Sequence, residues 1–270
     1  MTSTGASRER TIPELFDLTG RTALVTGGCG HLGTALCRAL AEAGAAVVLT
    51  SREREKAAAF AATLPSPDGA WHHGVSLDHM EPASLEAGFS KAVELADGVD
   101  ILVSNAHEPL GLDLTAVTPE AFTRQLANAT GYFSLCRLAR EHAVARGRPA
   151  SLILLGSMYG LVGSYPDAYA GVGPASPVAY HALKGGVVQM TRHLAVYWAR
   201  DGVRVNCLSP GPFPSAAAPA ELVRRLKEKS PMARMGRPEE LKGAVLFLAS
   251  DASSYMTGQN LVIDGGWTAW

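Results

Sequence analysis

The chain has 270 residues, 47% hydrophobic and 18% charged, enough apolar material for one large core or two small ones. A formal net charge of −1, with lysines and arginines dispersed, argues against nucleic acid or an anionic membrane as a partner. Met1 to Arg10 is polar, without the apolar centre of a signal peptide, and no later stretch is long and apolar enough to span a bilayer. A soluble, cytoplasmic protein is expected. The four cysteines, Cys29, Cys37, Cys136 and Cys207, are far apart and lack metal-ligand spacing. They read as buried thiols of a reducing compartment and imply no metal, although Cys29 lies near a helix start, where a thiol can be activated.

Residues 1–14 read as a flexible tail and residues 15–270 as one domain. Thr22 to Thr26 is a short β-branched run, followed by the glycine-rich Gly27-Gly28-Cys29-Gly30-His31-Leu32-Gly33 and a helical stretch to about Gly44. Strand, glycine turn and helix in this order let backbone N–H groups approach a pyrophosphate at the positive end of a helix. A strand from Ala45 to Thr50, an alanine-rich helix from Arg52 to Leu64 and a strand from Trp71 to Leu77 come next. Then follow a helix from Pro82 to Ala96, the strand Asp100 to Ser104, a long helix from Pro119 to Arg146 and the strand Ser151 to Leu155. The second half adds a helix from Pro177 to Arg200, a strand from Val203 to Cys207, one more helix and the strand Leu261 to Ile263. This alternation predicts an α/β Rossmann fold, a doubly wound parallel sheet of about seven strands with helices on both faces. Ser157 to Pro177 has no period of either kind, and irregular pieces of that length usually shape a site.

Tyr180 and Lys184 lie four apart on one of the predicted helices, hence on one face. Bringing a phenol from pH ~10 to about 7 takes about 4 kcal/mol, roughly what one cation at ~4 Å supplies at an effective dielectric of ~20. A lysine so placed can make a tyrosine a working acid or base, though the same spacing is more often a surface pair.

With these motifs the sequence resembles the short-chain dehydrogenase/reductase family from about Leu15 to Trp270. The family's Thr-Gly-x-x-x-Gly-x-Gly pattern stands as Thr26 to Gly33, with His31 in place of the middle glycine. The resemblance implies cofactor contacts from Gly27, Gly30, His31, Leu32 and Gly33, an adenine contact from Asp78, and contacts from Asn105 and Ala106. In Asn105-Ala106-His107 the histidine again replaces a family glycine and is a candidate for the active-site cleft. The resemblance assigns a tetrad: Asn128 holding a water of a proton relay, Ser157 binding substrate, Tyr180 as acid or base, and Lys184. Tyr180 and Lys184 also belong to the cofactor site, with Pro210, Gly211, Phe213 and Ser215 bordering the nicotinamide. The Ser157-to-Tyr180 interval is longer than usual in the family, and the irregular stretch accounts for the excess.

Cofactor choice falls at the end of the second strand, where Ser51 and Arg52 suit a 2′-phosphate and a carboxylate would repel it. NADP(H) is therefore favoured over NAD(H), with Glu53 close enough to blur the rule. The reaction implied is a ketone and secondary-alcohol interconversion by hydride transfer. Met158, Tyr159 and Tyr169 join His107 as substrate candidates, and the overall look is of members acting on sugar acids and polyols, such as gluconate 5-dehydrogenases. The same tyrosines also suit an aromatic ketone in a biosynthetic pathway, and the two histidines keep a non-catalytic nucleotide sensor open. The resemblance further implies a homo-oligomer, a tetramer in the usual case, with a small molecule as the other partner.

Overall fold

The computed structural model describes residues 8–269. Strands β1 (Thr22–Val25), β2 (Ala46–Ser51), β3 (His72–Ser76), β4 (Ile101–Ser104), β5 (Ala150–Leu155), β6 (Val203–Pro210) and β7 (Asn260–Ile263) form one sheet in the order β3-β2-β1-β4-β5-β6-β7. Every pairing is parallel, with Val25 opposite Leu49 on one side and Val103 on the other. Side chains alternate between the two faces. Leu24, Val48, Leu102 and Leu152 pack into one core, while Val25, Leu49, Val103 and Ile153 pack into the other. The chain therefore covers the sheet on both sides as a single Rossmann-type domain.

Helices α4 (Pro82–Ala96), α5 (Pro119–Arg146) and α7 (Val178–Trp198) cover the first face. Helices α2 (Gly33–Glu42), α3 (Arg54–Ala61) and α9 (Lys242–Ala249) cover the second. Proline in the first turn starts both α4 and α5, and left-handed residues stop them, Asp97 at φ 50° and Gly147 at φ 61°. The Thr118 hydroxyl accepts from Ala121 N at 3.2 Å and caps α5.

Three expectations change. The single helix expected near the end is two, α8 (Ala220–Lys229) and α9, on different parts of the molecule. The irregular stretch contains a 3₁₀ turn at Met158–Gly160 and a short helix α6 (Pro166–Tyr169), too brief for periodicity to register. Helix α1 (Ile12–Phe16) begins inside the segment read as a tail. Glu14 accepts from the Thr11 amide at 2.7 Å, and Arg10 pairs with Asp251 at 2.5 Å, so this segment is docked from Arg10 onward. The first part of the expected tail, residues 1–7, lies outside the described residues. Among the described residues no helix is long and apolar enough to cross a membrane, and no cluster of His, Cys, Asp or Glu could hold a metal.

Candidate active site

The strand order reverses between β1 and β4, which opens a crevice at their carboxyl ends. Its two walls are clamped together. The Thr26 hydroxyl accepts from the amides of Asn105 and Ala106, both at 3.0 Å, and the Asn105 amide side chain donates to the Thr26 and Gly27 carbonyls at 3.0 and 3.1 Å. A Cβ on Gly33 would stand 2.2 Å from the Gly27 carbonyl oxygen, so only glycine lets α2 start against the turn. Gly27, at φ 62°, faces Ala106 with no room for a side chain. The result is a groove of about 560 Å³ that brings together Gly27, Gly30, His31, Leu32, Gly33, Ser51, Arg52, Asp78, Asn105 and Ala106. His31 is exposed and lies on the groove's lining. The Arg52 side chain is exposed and has no ion-pair partner among the described residues, whereas Glu53 stands 3.9 Å from Lys56. The cradle left by the missing β-carbons fits the pyrophosphate of a dinucleotide. Cys29 lines the groove, and burial pushes its thiol up, which is the direction of an ordinary thiol rather than of an activated one.

At the groove's inner end a smaller cavity of about 270 Å³ is lined by Ser157, Tyr180, Lys184, Pro210, Gly211 and Phe213. Ser157 closes β5, and its hydroxyl accepts from Tyr159 N at 3.1 Å. Tyr180 sits in the first turn of α7 and Lys184 one turn later, fully buried. The ammonium donates to the Leu155 carbonyl at 2.6 Å and to the Tyr132 hydroxyl at 3.1 Å, and it lies 5.7 Å from the Tyr180 ring centre. Two of its three donors are thereby spent below the phenol. Burial lowers Lys184 to about 8, and burial raises Tyr180, with the Ser157 hydroxyl acting in the opposite direction. The sequence arithmetic made the lysine the group that lowers the phenol's proton affinity. In the folded protein desolvation dominates both groups, and the neighbour that counters it at Tyr180 is Ser157.

The side chain of Asn128 is fully engaged within the protein. It is fully buried, its oxygen accepts from Glu108 N and His79 Nε2, both at 2.8 Å, and its amide donates to the Gln125 and Glu108 carbonyls at 2.9 and 3.2 Å. All four hydrogen-bonding positions are filled, so the side chain has none left for a relay water. It instead fixes the loop that carries His107. That imidazole meets the Tyr180 ring edge-on at 5.3 Å and Gln125 Nε2 at 3.2 Å, and burial drives it down to about 3. It is a neutral ring at any ordinary pH, and it borders the groove, the small cavity and the outer cavity alike.

The outer cavity, about 450 Å³, opens beyond Ser157 and Tyr180. Met158, Tyr159 and Tyr169 line it, with the two phenols bonded to each other at 2.8 Å and Tyr159 stacked on His181 at 4.6 Å. Ser215 is exposed and lies on none of these three cavities, although Pro214 and Ala218 on either side of it line the outer one. Sequence reasoning missed Thr26, Gln125 and Tyr132, whose partners are remote in the chain, and Leu222 and Leu226 of α8. The last two carried a signal, an apolar pair one helical turn apart.

The profile of a family described as enoyl-(acyl carrier protein) reductase matches residues 30–268. A galactitol 2-dehydrogenase (L-tagatose-forming) from Cereibacter sphaeroides is 36% identical over 273 residues, covering 95% of this chain and 98% of that one. A short-chain type dehydrogenase/reductase from Mycobacterium marinum superposes with a TM-score of 0.85 at 32% identity, over 97% of this chain and 100% of that one. A gluconate 5-dehydrogenase from Burkholderia cenocepacia, solved with NADP and tartrate, gives 0.84 at 32% identity, over 96% and 99%.

Proposed function

The chain belongs to the short-chain dehydrogenase/reductase family, whose members bind NAD(P), and it is an alcohol/ketone oxidoreductase; from that premise we propose that its substrate is a polyhydroxylated small molecule, a polyol or sugar acid, and that NADP(H) is preferred over NAD(H). The observation that carries this reading is the shared lining: Ser157 and Tyr180 border both the small inner cavity and the outer cavity, so a carbinol placed between the two would meet both hydroxyls.

Nicotinamide supplies or accepts the hydride when bound. This chain's own residues handle the proton. In the reductive direction the Tyr180 hydroxyl gives its proton to the carbonyl oxygen, and the Ser157 hydroxyl donates a hydrogen bond to that oxygen as charge develops on it. Lys184, anchored on Leu155 and Tyr132, holds its remaining donor beneath the tyrosine for a ribose hydroxyl. Oxidation reverses these steps. Gly33 and Gly27 would admit the pyrophosphate, and Arg52 would take the 2′-phosphate. The galactitol and gluconate relatives support the polyol and sugar-acid class. The apolar wall of α8 favours a second reading, a tailoring ketoreductase acting on a cyclic ketone. A non-catalytic sensor is disfavoured because serine, tyrosine and lysine meet in one cavity.

Tyr180→Phe removes the proton donor and keeps the ring. We expect turnover to fall roughly 10²–10⁴-fold with cofactor affinity nearly unchanged, measured by steady-state kinetics and fluorescence titration. Full turnover in that variant would sink the assignment. We also propose a homo-oligomer, a tetramer, formed through α5 and α7, which expose Phe133, Val144, Val196 and Tyr197. A monomer in sedimentation at micromolar concentration would refute it.

A further inference from the structure

We propose that the substrate of this site is uncharged, with one apolar flank, and that the protein rejects the corresponding carboxylates. The inference rests on the alcohol/ketone reading above and narrows it to the neutral half of the polyol and sugar-acid class.

The argument is the chemistry of the outer cavity's wall. Among the described residues its ionisable side chains are His107, Tyr159, Tyr169 and Tyr180, and none carries a charge near neutrality. Burial holds His107 down, and burial raises all three phenols. Lys184 borders the inner cavity but not the outer one, and its ammonium is committed to Leu155 and Tyr132 below the tyrosine. Helix α8 also carries Arg225 and Lys229, which do not line the cavity and are both engaged in ion pairs. Arg225 donates to the Glu221 carboxylate at 2.8 Å and to the Asp167 and Ala170 carbonyls at 3.2 and 2.7 Å, and Lys229 pairs with Asp167. A carboxylate entering this cavity would lose its water without meeting a free cation, and that desolvation is costly.

The same wall says what is accepted. Leu110, Pro212, Leu222, Val223 and Leu226 form an apolar side. The lining also carries the hydroxyls of Ser157 and Ser176 and the bonded pair of Tyr159 and Tyr169, which packs in one cluster with Leu222, Val223 and Leu226. In that pair one hydroxyl hydrogen is used between the rings and the other remains free, so the pair can donate to one substrate oxygen while accepting at another. A ring or short chain that carries both oxygens and bare carbon matches this lining.

The test compares matched pairs on the intact protein with NADPH: L-sorbose against 5-ketogluconate, and 4-methylcyclohexanone against 4-oxocyclohexanecarboxylate. We expect kcat/KM for the neutral member of at least one pair to exceed its carboxylate partner by about 100-fold or more, the desolvation penalty of an unpaired anion. Equal or faster turnover of the carboxylates overturns the inference. Calorimetry on the protein–NADP complex reads the same contrast without turnover. Neutral ligands binding in preference, with no reaction, would remove the proposed activity and leave this inference standing; binding of neither class, or of the carboxylates more tightly, would overturn it. Leu222→Arg places a cation on the apolar wall and should raise carboxylate binding at least about tenfold; an unchanged contrast in that variant, folded by circular dichroism, also counts against the proposal.

Discussion

The dinucleotide groove and the substrate cavity adjoin through His107, yet they are built in opposite ways. The groove is made by backbone at the ends of β1, β2 and β4, and its shape depends on atoms that are missing: a Cβ on Gly33 would overlap the Gly27 carbonyl. The outer cavity is made largely by side chains from Met158–Gly160, α6, α7 and α8, segments brought together only by folding; a Cβ on Gly160 would stand 2.6 Å from the Lys184 carbonyl oxygen, but Gly163 in the same loop has open space around it. One site tolerates almost no change of backbone, and the other is open to change of side chain. A scaffold of this kind can keep its cofactor while its substrate varies.

The largest expected effect breaks the first half of that comparison. Gly33→Ala forces a methyl onto backbone that cannot swing away, and we expect cofactor affinity to drop by more than about 100-fold, or the fold to be lost. Gly163→Ala, with nothing within 4 Å of the new Cβ, should be silent in both thermal denaturation and cofactor titration. Equal behaviour of the two variants would remove the contrast between the sites.

A smaller effect sharpens it. Arg52→Ala takes away an exposed, unpaired guanidinium from the groove and should weaken NADP(H) about 10–100-fold with little change in NAD(H), the scale of one charged hydrogen bond. A parallel loss for both cofactors would mean that Arg52 does not read the 2′-phosphate.

The smallest effect near neutrality concerns the boundary residue. Burial lowers His107 from 6.5 in the unfolded chain to about 3 in the fold. Between those values the unfolded state binds more protons, so the stabilising contribution is complete above pH 6.5 and is lost as pH falls toward 3. His79, also lowered by burial, acts in the same direction. Denaturation midpoints should therefore fall less between pH 7 and pH 5 in His107→Gln than in the unaltered protein. Identical pH slopes would show that the ring is not desolvated.

The approximate extents of α4 and α5 were legible because the helical stretch is long and a proline opens each, signals that are local in the chain. The glycine turn and the Tyr180–Lys184 pair were legible for the same reason, since their geometry is settled within a few residues. The partners of that pair were not. Lys184 meets Leu155 and Tyr132, which lie 29 and 52 residues away in sequence, and Asn128 spends its side chain on Glu108, 20 residues away. The two helices at the end of the chain were read as one because neither is long enough for its period to separate it from the loops between.

What the chain's order of residues determined by itself is therefore the set of backbone conformations: alternating strands and helices, their caps, and a turn that only glycine can make. The protonation state of each group in the site was decided by the tertiary structure. Lys184, Tyr180 and His107 owe their shifted proton affinities chiefly to burial. Burial is a sum over neighbours from the whole chain, so no window of sequence contains it.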